Sequence, residues 1–250
     1  MEHAITRLRH ELKRRKLTVQ TVTPLTPTML RVVFTGDDLA DFNSPAPDDH
    51  VKLFFPTASG ETEARDYTPR EFDNTTQTLA IDFALHGTAT EAGPATRWAM
   101  NAKPGDELQI GGPRGSTIIS PDFDWWLLIG DETALPAIAR RLAERPARTK
   151  VKAIISVPGP ADERYFESCE PCEIVWLHRR AGQEADPSLL LALLQTMDLP
   201  EGDGFLWIAA EAMVARAARD YLVNTRGHNL AWTKSSGYWL KGVADAHDKE

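Results

Sequence analysis

The residues with the plainest chemistry stand together in "ARDYTPR", residues 64–70. Side chains two apart on a strand share a face, so Arg65 and Tyr67 project side by side and the Thr68 hydroxyl follows them. A strand that ends in a guanidinium, a phenol and a hydroxyl suits a flat, phosphorylated ligand. Alone, the same heptad also describes an edge strand with one polar face. Pro69 cannot donate a ladder hydrogen bond, so pairing is expected to lapse there.

Three further stretches bear on that ligand. In "DFALHGTATEAGPATRW" a strand ends at His86-Gly87 and a helix opens at Gly93-Pro94. Proline is favoured at a first helical position because its missing N–H would be an orphan anyway. The free N–H groups of Ala95 and Thr96 then point at whatever precedes the helix, an arrangement that binds phosphate. Ordinary helix capping explains the same residues. "GGPRGS", residues 111–116, is a tight glycine turn carrying Arg114. "GDETALPA", residues 130–137, lies between a buried strand and a helix, where a nucleotide-binding domain puts its first ligand-facing loop. No G-x-G-x-x-G is present, and Asp131 and Glu132 stand where such a loop would want glycines.

The two cysteines, Cys169 and Cys172, form a C-x-x-C in "SCEPCE". Zinc would need two more ligands, and there is no second pair. A thioredoxin-like motif should open a helix, whereas the "EIVWLHR" that follows reads as a strand. Two reduced thiols in a loop are expected.

The elements that must hold these groups fall into two halves. A chain of 250 residues with 42% hydrophobic content suits one large or two ordinary domains with a real core. The first half is a series of short β-branched or aromatic runs, "LTVQTVTPL", "MLRVVFTG", "HVKLFFP", "RDYTP", "TLAIDFAL" and "ELQIGGP", with one internal helix, "PATRWAMNA". That pattern predicts an antiparallel β-barrel over residues 1–122. From residue 123 onward strands alternate with helices: "WWLLIGD", "ALPAIARRLAE", "VKAIISVPG", a helical turn in "ADERYFES", "EIVWLHRR", "SLLLALLQTM", "GFLWIAAE" and "AMVARAARDYLVNTR". Alternation predicts a parallel-sheet α/β domain over residues 123–250, with ligands outside the carboxyl ends of its strands. The ligands of the two domains are expected to meet at their junction.

The net charge of −8 argues against a general nucleic-acid binder. No apolar run approaches the roughly 20 residues that span a bilayer. The N-terminal "MEHAITRLRHELKRRK" lacks the apolar region of a signal peptide and reads as a short basic helix with a solvated face, Arg7 to Lys16. A cytoplasmic monomer without membrane insertion is the expectation.

Taken in order, "DDHVKLFFP", "RDYTPR", "DFALHG", "GPATRWA", "GDELQIGGPRGS", "GDETALPAI", "WIAAE" and "GYWLKG" resemble the ferredoxin-reductase superfamily. More closely they resemble its siderophore-interacting branch, the FAD-dependent ferric-siderophore reductases, over residues 48–242. The resemblance implies a role for each group. Arg65 would pair with the FAD pyrophosphate, Tyr67 pack on the isoalloxazine and Thr68 hydrogen-bond the flavin. Ala95 and Thr96 would take the phosphate charge, and Asp82 and His86 would line the flavin. Asp131, Thr133 and Ala134 would border it from the second domain.

The branch also places basic residues for an anionic ferric siderophore, here Lys52, Arg114 and Lys234. Lys241 joins them where relatives carry a basic residue one place earlier, at the position of Leu240. Some members of the branch draw electrons from NADPH or NADH and others from a ferredoxin. His178, Arg179 and Arg180, at the end of "WLHRR", suit an adenosine 2′-phosphate and so NADPH, while Asp131 and Glu132 would repel a pyrophosphate. The rival readings are a general flavin or ferredoxin reductase of the same fold and a siderophore-binding module without turnover.

Overall fold

The structure is a computed structural model that describes residues 3, 5–57, 60–86, 92–166 and 172–243. Two compact units make up the chain. One comprises Ile5–Ile119 with Ala139–Arg141, the other Met1–Ala4, Ser120–Ile138 and Leu142–Glu250.

The first unit is antiparallel throughout. Its strands are β1 (Ile5–Arg9), β2 (Arg14–Thr26), β3 (Met29–Thr35), β4 (Val51–Pro56), β5 (Thr62–Tyr67), β6 (Pro69–Asp73), β7 (Thr78–Ala84), β8 (Glu107–Gly111) and β9 (Gly115–Ile119), with helix α1 (Pro94–Asn101) between β7 and β8. Seven of them form a curled half-barrel in the order β5-β4-β8-β2-β3-β7-β6, while β1 and β9 pair separately. The period of two is visible in β4. Val51, Leu53 and Phe55 are fully buried, and Lys52 and Pro56 face solvent. The inward row joins Leu17, Val32, Phe34, Ile81, Phe83 and Ile110 in one core, against which α1 lays Ala95 and Ala99.

Two sequence expectations change here. The basic N-terminal segment is β-structure, not a helix. Along β2 the buried positions are Arg15, Leu17 and Val19, a strand period hidden by the run of cations. Arg15 is satisfied inside by the Asp38 and Gly112 carbonyls and by Asp41. The β1–β9 ladder needs Gly115, because a Cβ there would lie 2.6 Å from the Leu8 carbonyl oxygen. Pairing also does not lapse at Pro69. It switches at Thr68, from β5 on β4 to β6 on β7, and Pro69 opens an edge strand, where a missing donor costs least.

The second unit holds β10 (Trp125–Asp131), α2 (Leu135–Glu144), β11 (Lys150–Val157), β12 (Cys172–His178), α3 (Ser188–Thr196), β13 (Gly204–Glu211), α4 (Ala212–Asp220) and β14 (Thr233–Trp239). The sheet is parallel in the order β12-β11-β10-β13-β14, so its direction of growth reverses between β10 and β13. β10 and β13 are buried on both faces, as central parallel strands require. The helical turn expected in "ADERYFES" lies earlier, at Pro160–Asp162. Cys172 is disulfide-bonded, which corrects the expectation of reduced thiols; Cys169 lies outside the described residues. No described helix is long and apolar enough to cross a membrane.

Candidate functional site

In the half-barrel, β5 sets the first group. Arg65 stands opposite Leu53 and Tyr67 opposite Val51, so both share the inward face of the sheet, while Asp66 opposes Lys52 on the other. Tyr67 packs on Phe83, with ring centroids 4.5 Å apart, and burial pushes its phenol well above the usual range against the opposing pull of Arg65. The phenol is therefore neutral, an apolar plate with a hydroxyl handle. Arg65 bonds the Ala64 carbonyl and Glu63 Oε2, the latter at 2.6 Å. A phosphate arriving at the guanidinium would compete with a half-exposed glutamate. Thr68, where the chain changes partner, is buried.

Helix α1 supplies the second group. Its N-cap, Gly93, makes no side-chain cap bond, Pro94 has no N–H, and nothing lies within 4 Å of where a Gly93 Cβ would be. Among the described residues no side chain caps this end, and the Arg97 amide donates to the Gly93 carbonyl. A helix start without a side-chain cap, a nearby aromatic core and a strand-borne guanidinium fit a flavin dinucleotide. Asp82 fits it less well. It is buried and gripped by Arg31 in two bonds of 2.7 and 3.0 Å, its partner in the β3–β7 register. His86 is exposed just beyond β7.

The barrel's candidate substrate cations lie at its glycine rim. Lys52 is half-exposed and 3.0 Å from Asp66. Arg114 is exposed on the turn after Gly112, whose φ of 98° needs glycine, and His10 N–H donates to the Arg114 carbonyl.

In the α/β unit, Asp131 at the end of β10 is a buried hub. One oxygen accepts from the Thr133 amide and hydroxyl, the other from the Glu211 amide and the Trp239 indole, both at 2.9 Å. The Thr133 hydroxyl is thereby spent on Asp131, and Ala134 is fully buried. Glu211 caps α4 by accepting from Met213 and Val214, and it also takes the Lys241 amide. The sequence reading missed this network. Glu211 one residue before a helical run was its only local trace.

Glu132 is buried beside Asp131 and bonds Arg179, which also donates to the Ser156 carbonyl. Burial, reinforced by the Asp131 charge and opposed by Arg179, raises the Glu132 carboxyl to about 7. Arg179 is thus committed inside the unit. His178 bonds Glu163 at 2.8 Å, and Arg180 is exposed with no carboxylate at ion-pair distance among the described residues. Lys241 bonds Glu184 and the Gly182 carbonyl, and Lys234 is half-buried on β14 opposite Trp207. A narrow pocket of about 30 Å³ at this end of the sheet is bordered by Asp131, Ser156, Arg179, Glu184, Leu189 and Ala210.

Comparison with known proteins settles the family. The family described as "Siderophore-interacting protein" matches residues 123–242, and "Siderophore-interacting FAD-binding domain" matches 18–64 and 61–117. An Escherichia coli (strain K12) protein named NADPH-dependent ferric-chelate reductase is 35% identical over 231 residues, covering 84% of this chain and 87% of its own. The chain belongs to the siderophore-interacting protein family. A ferric vibriobactin reductase of Vibrio cholerae is 31% identical over 236 residues, with 86% of this chain and 84% of that one covered. Among solved structures, a siderophore utilization protein from T. fusca superposes on this siderophore-interacting protein with a TM-score of 0.89 at 37% identity, covering 97% and 98% of the two chains.

Proposed function

We propose that this chain reduces the iron of ferric siderophores through a bound FAD, with electrons from NADPH. The observation that carries the reading is the pairing, within one unit, of the Arg65-x-Tyr67-Thr68 strand end with the uncapped start of α1. The relatives' names point to the same chemistry. FAD supplies two-electron uptake from a nicotinamide and one-electron delivery to iron. The protein supplies position and charge. Arg65 would exchange Glu63 for the pyrophosphate, and the Ala95 and Thr96 amides would take the remaining phosphate charge. Neutral Tyr67 offers an apolar face to the ring system, and Thr68 a hydroxyl at its edge. Lys52 and Arg114 would hold the anionic chelate. Siderophores bind Fe(III) through hard oxygens, so reduction to Fe(II) loosens the metal.

For the donor, Arg180 would meet a 2′-phosphate, since among the described residues it has no carboxylate at ion-pair distance while Arg179 is held by Glu132 and Ser156. The chain would work as a cytoplasmic monomer. The test is a visible spectrum of the purified protein, followed by anaerobic addition of NADPH and then a ferric chelate with a ferrous trap. Flavin absorption that bleaches with NADPH and returns with the chelate is expected. A colourless protein that takes up no added FAD would remove the reading. Bleaching only with reduced ferredoxin would transfer the donor role to that partner.

A further inference from the structure

Helix α2 contributes a side chain to the half-barrel that the flavin site as described does not use. Its residues Ala139–Arg141 belong to the compact unit of strands β1–β9. Arg140 is buried there, and its guanidinium is spread as a fork. Nη1 donates to the Ser44 hydroxyl at 2.9 Å and to the Pro69 carbonyl at 3.1 Å, and Nη2 donates to the Ser44 carbonyl at 2.8 Å.

Pro69 follows Thr68, the residue at which the chain leaves its pairing with β4 and takes up β7. The register on β7 shifts between Pro69 and Glu71, so the ladder is broken just where the strand changes partner. A buried carbonyl at such a break needs a donor from elsewhere, and Arg140 brings one. Ser44 carries the contact further. Its hydroxyl donates to Asp49, which also accepts from the Ala46 amide and from the Ser116 hydroxyl at 2.7 Å. One guanidinium therefore fixes both the strand change at Thr68 and the loop that leads into β4.

Bracing alone does not call for a charge. Burying a guanidinium is costly, and apolar side chains of similar volume commonly replace buried charges without loss of stability. An apolar residue cannot supply a planar fork that reaches two segments at once, or a permanent positive charge behind Thr68. A flavin gains negative charge when two electrons reduce it, and a fixed cation near its edge favours that state.

We propose that Arg140 is a positioning residue for the flavin: its fork holds Thr68 in place at the strand change, and its charge favours the reduced cofactor. It acts through Thr68 and Pro69 and touches no reacting atom. The proposal rests on the reading of the Arg65-x-Tyr67-Thr68 strand end as part of the FAD site.

Two readouts separate this role from a structural brace: the dissociation constant for FAD, from titration of the flavin-free full chain, and the midpoint potential of the bound flavin against a reference dye. The proteins are the wild type, Arg140→Met, Arg140→Lys and Ser44→Ala, with thermal melts of each. Arg140→Met should weaken FAD about tenfold, the scale of one charge-assisted hydrogen bond. It should also lower the potential by about 30 mV, a tenfold shift for a two-electron couple. Arg140→Lys keeps the charge without the fork, so FAD should weaken by a similar factor while the potential stays at the wild-type value. Ser44→Ala leaves the Pro69 bond in place and should leave both readouts at the wild-type value. An unchanged potential in Arg140→Met, an equal fall in Arg140→Lys, or an equal loss of FAD affinity in Ser44→Ala would each overturn the proposal. If Arg140→Met does not fold, the other two variants decide. Affinity lost in Arg140→Lys alone supports the role, and affinity that merely follows the melting temperature in both refutes it. Wild-type uptake of FAD with unaltered variants rejects only the role of Arg140, whereas no uptake by the wild type rejects the flavin reading and that role together.

Discussion

Replacing Glu132 by glutamine tests the electrostatics at the end of β10. The Glu132 carboxyl is buried, sits next to Asp131 and is held at about 7 despite Arg179. Its unfolded value is near the ordinary 4.5. Between those values the native state binds the extra proton, so stability falls as pH rises from about 4.5 to about 7. At 1.36 kcal/mol per decade, the gap corresponds to about 3 kcal/mol. Glutamine mimics the protonated acid and does not ionise. Glu132→Gln and wild type should therefore melt together below pH 4.5, and the variant should be the more stable by up to about 3 kcal/mol near pH 8. For a protein of this size that is on the order of 6–12 °C in Tm. Thermal melts of the full chain followed by circular dichroism, at several pH values from 4 to 8, measure it. A Tm difference independent of pH, or a variant less stable at pH 8, would show that Arg179 keeps Glu132 ionised throughout and that burial does not dominate.

Three further outcomes are expected. Arg31→Met leaves the buried Asp82 without its two-bond partner and should destabilise the chain by about 3–5 kcal/mol in urea titrations; a loss below about 1 kcal/mol would mean that other groups hold Asp82. Gly130→Ala puts a methyl 2.6 Å from the Ala134 Cβ and 2.9 Å from the Ala209 carbonyl oxygen, so a loss of about 1–3 kcal/mol is expected, and an unchanged Tm would show that the β10–α2 turn yields freely. Glu184 is held down to about 2, chiefly by its hydrogen bond from Lys241. Its contribution to stability is full above 4.5 and is lost as pH falls toward 2, so Glu184→Gln should flatten that acid limb of the melting curve; identical acid limbs would dismiss the bond.

The sequence carried most of the architecture because the relevant signals are local. Period-two burial in "VKLFFP", the Gly-Pro start of α1 and the alternation of strand and helix after residue 123 each follow from neighbours in the chain. Local signal also misled. The cations of residues 13–16 obscured the strand period of β2, since Arg15 points inward and is satisfied by carbonyls remote in sequence. Arg65 and Tyr67 were correctly expected on one face, because alternation along a strand needs no partner.

What each of these residues bonds to was decided only by the tertiary fold. Asp82 reads as a ligand-lining carboxylate until β3 brings Arg31 beside it. Asp131 and Glu132 read as open negative charge in a loop, yet one is consumed by Thr133, Glu211 and Trp239 and the other by Arg179. Arg14 and Lys52 are separated by 38 positions in the chain. Only the register of β2 and β4 on the shared glycine of β8 puts them in one row. The sequence determines which groups exist and which face each takes, because side-chain alternation is a property of the single strand. Pairing between strands is set by the burial of the whole core, and it alone decides which charges meet a partner and which are left for a ligand.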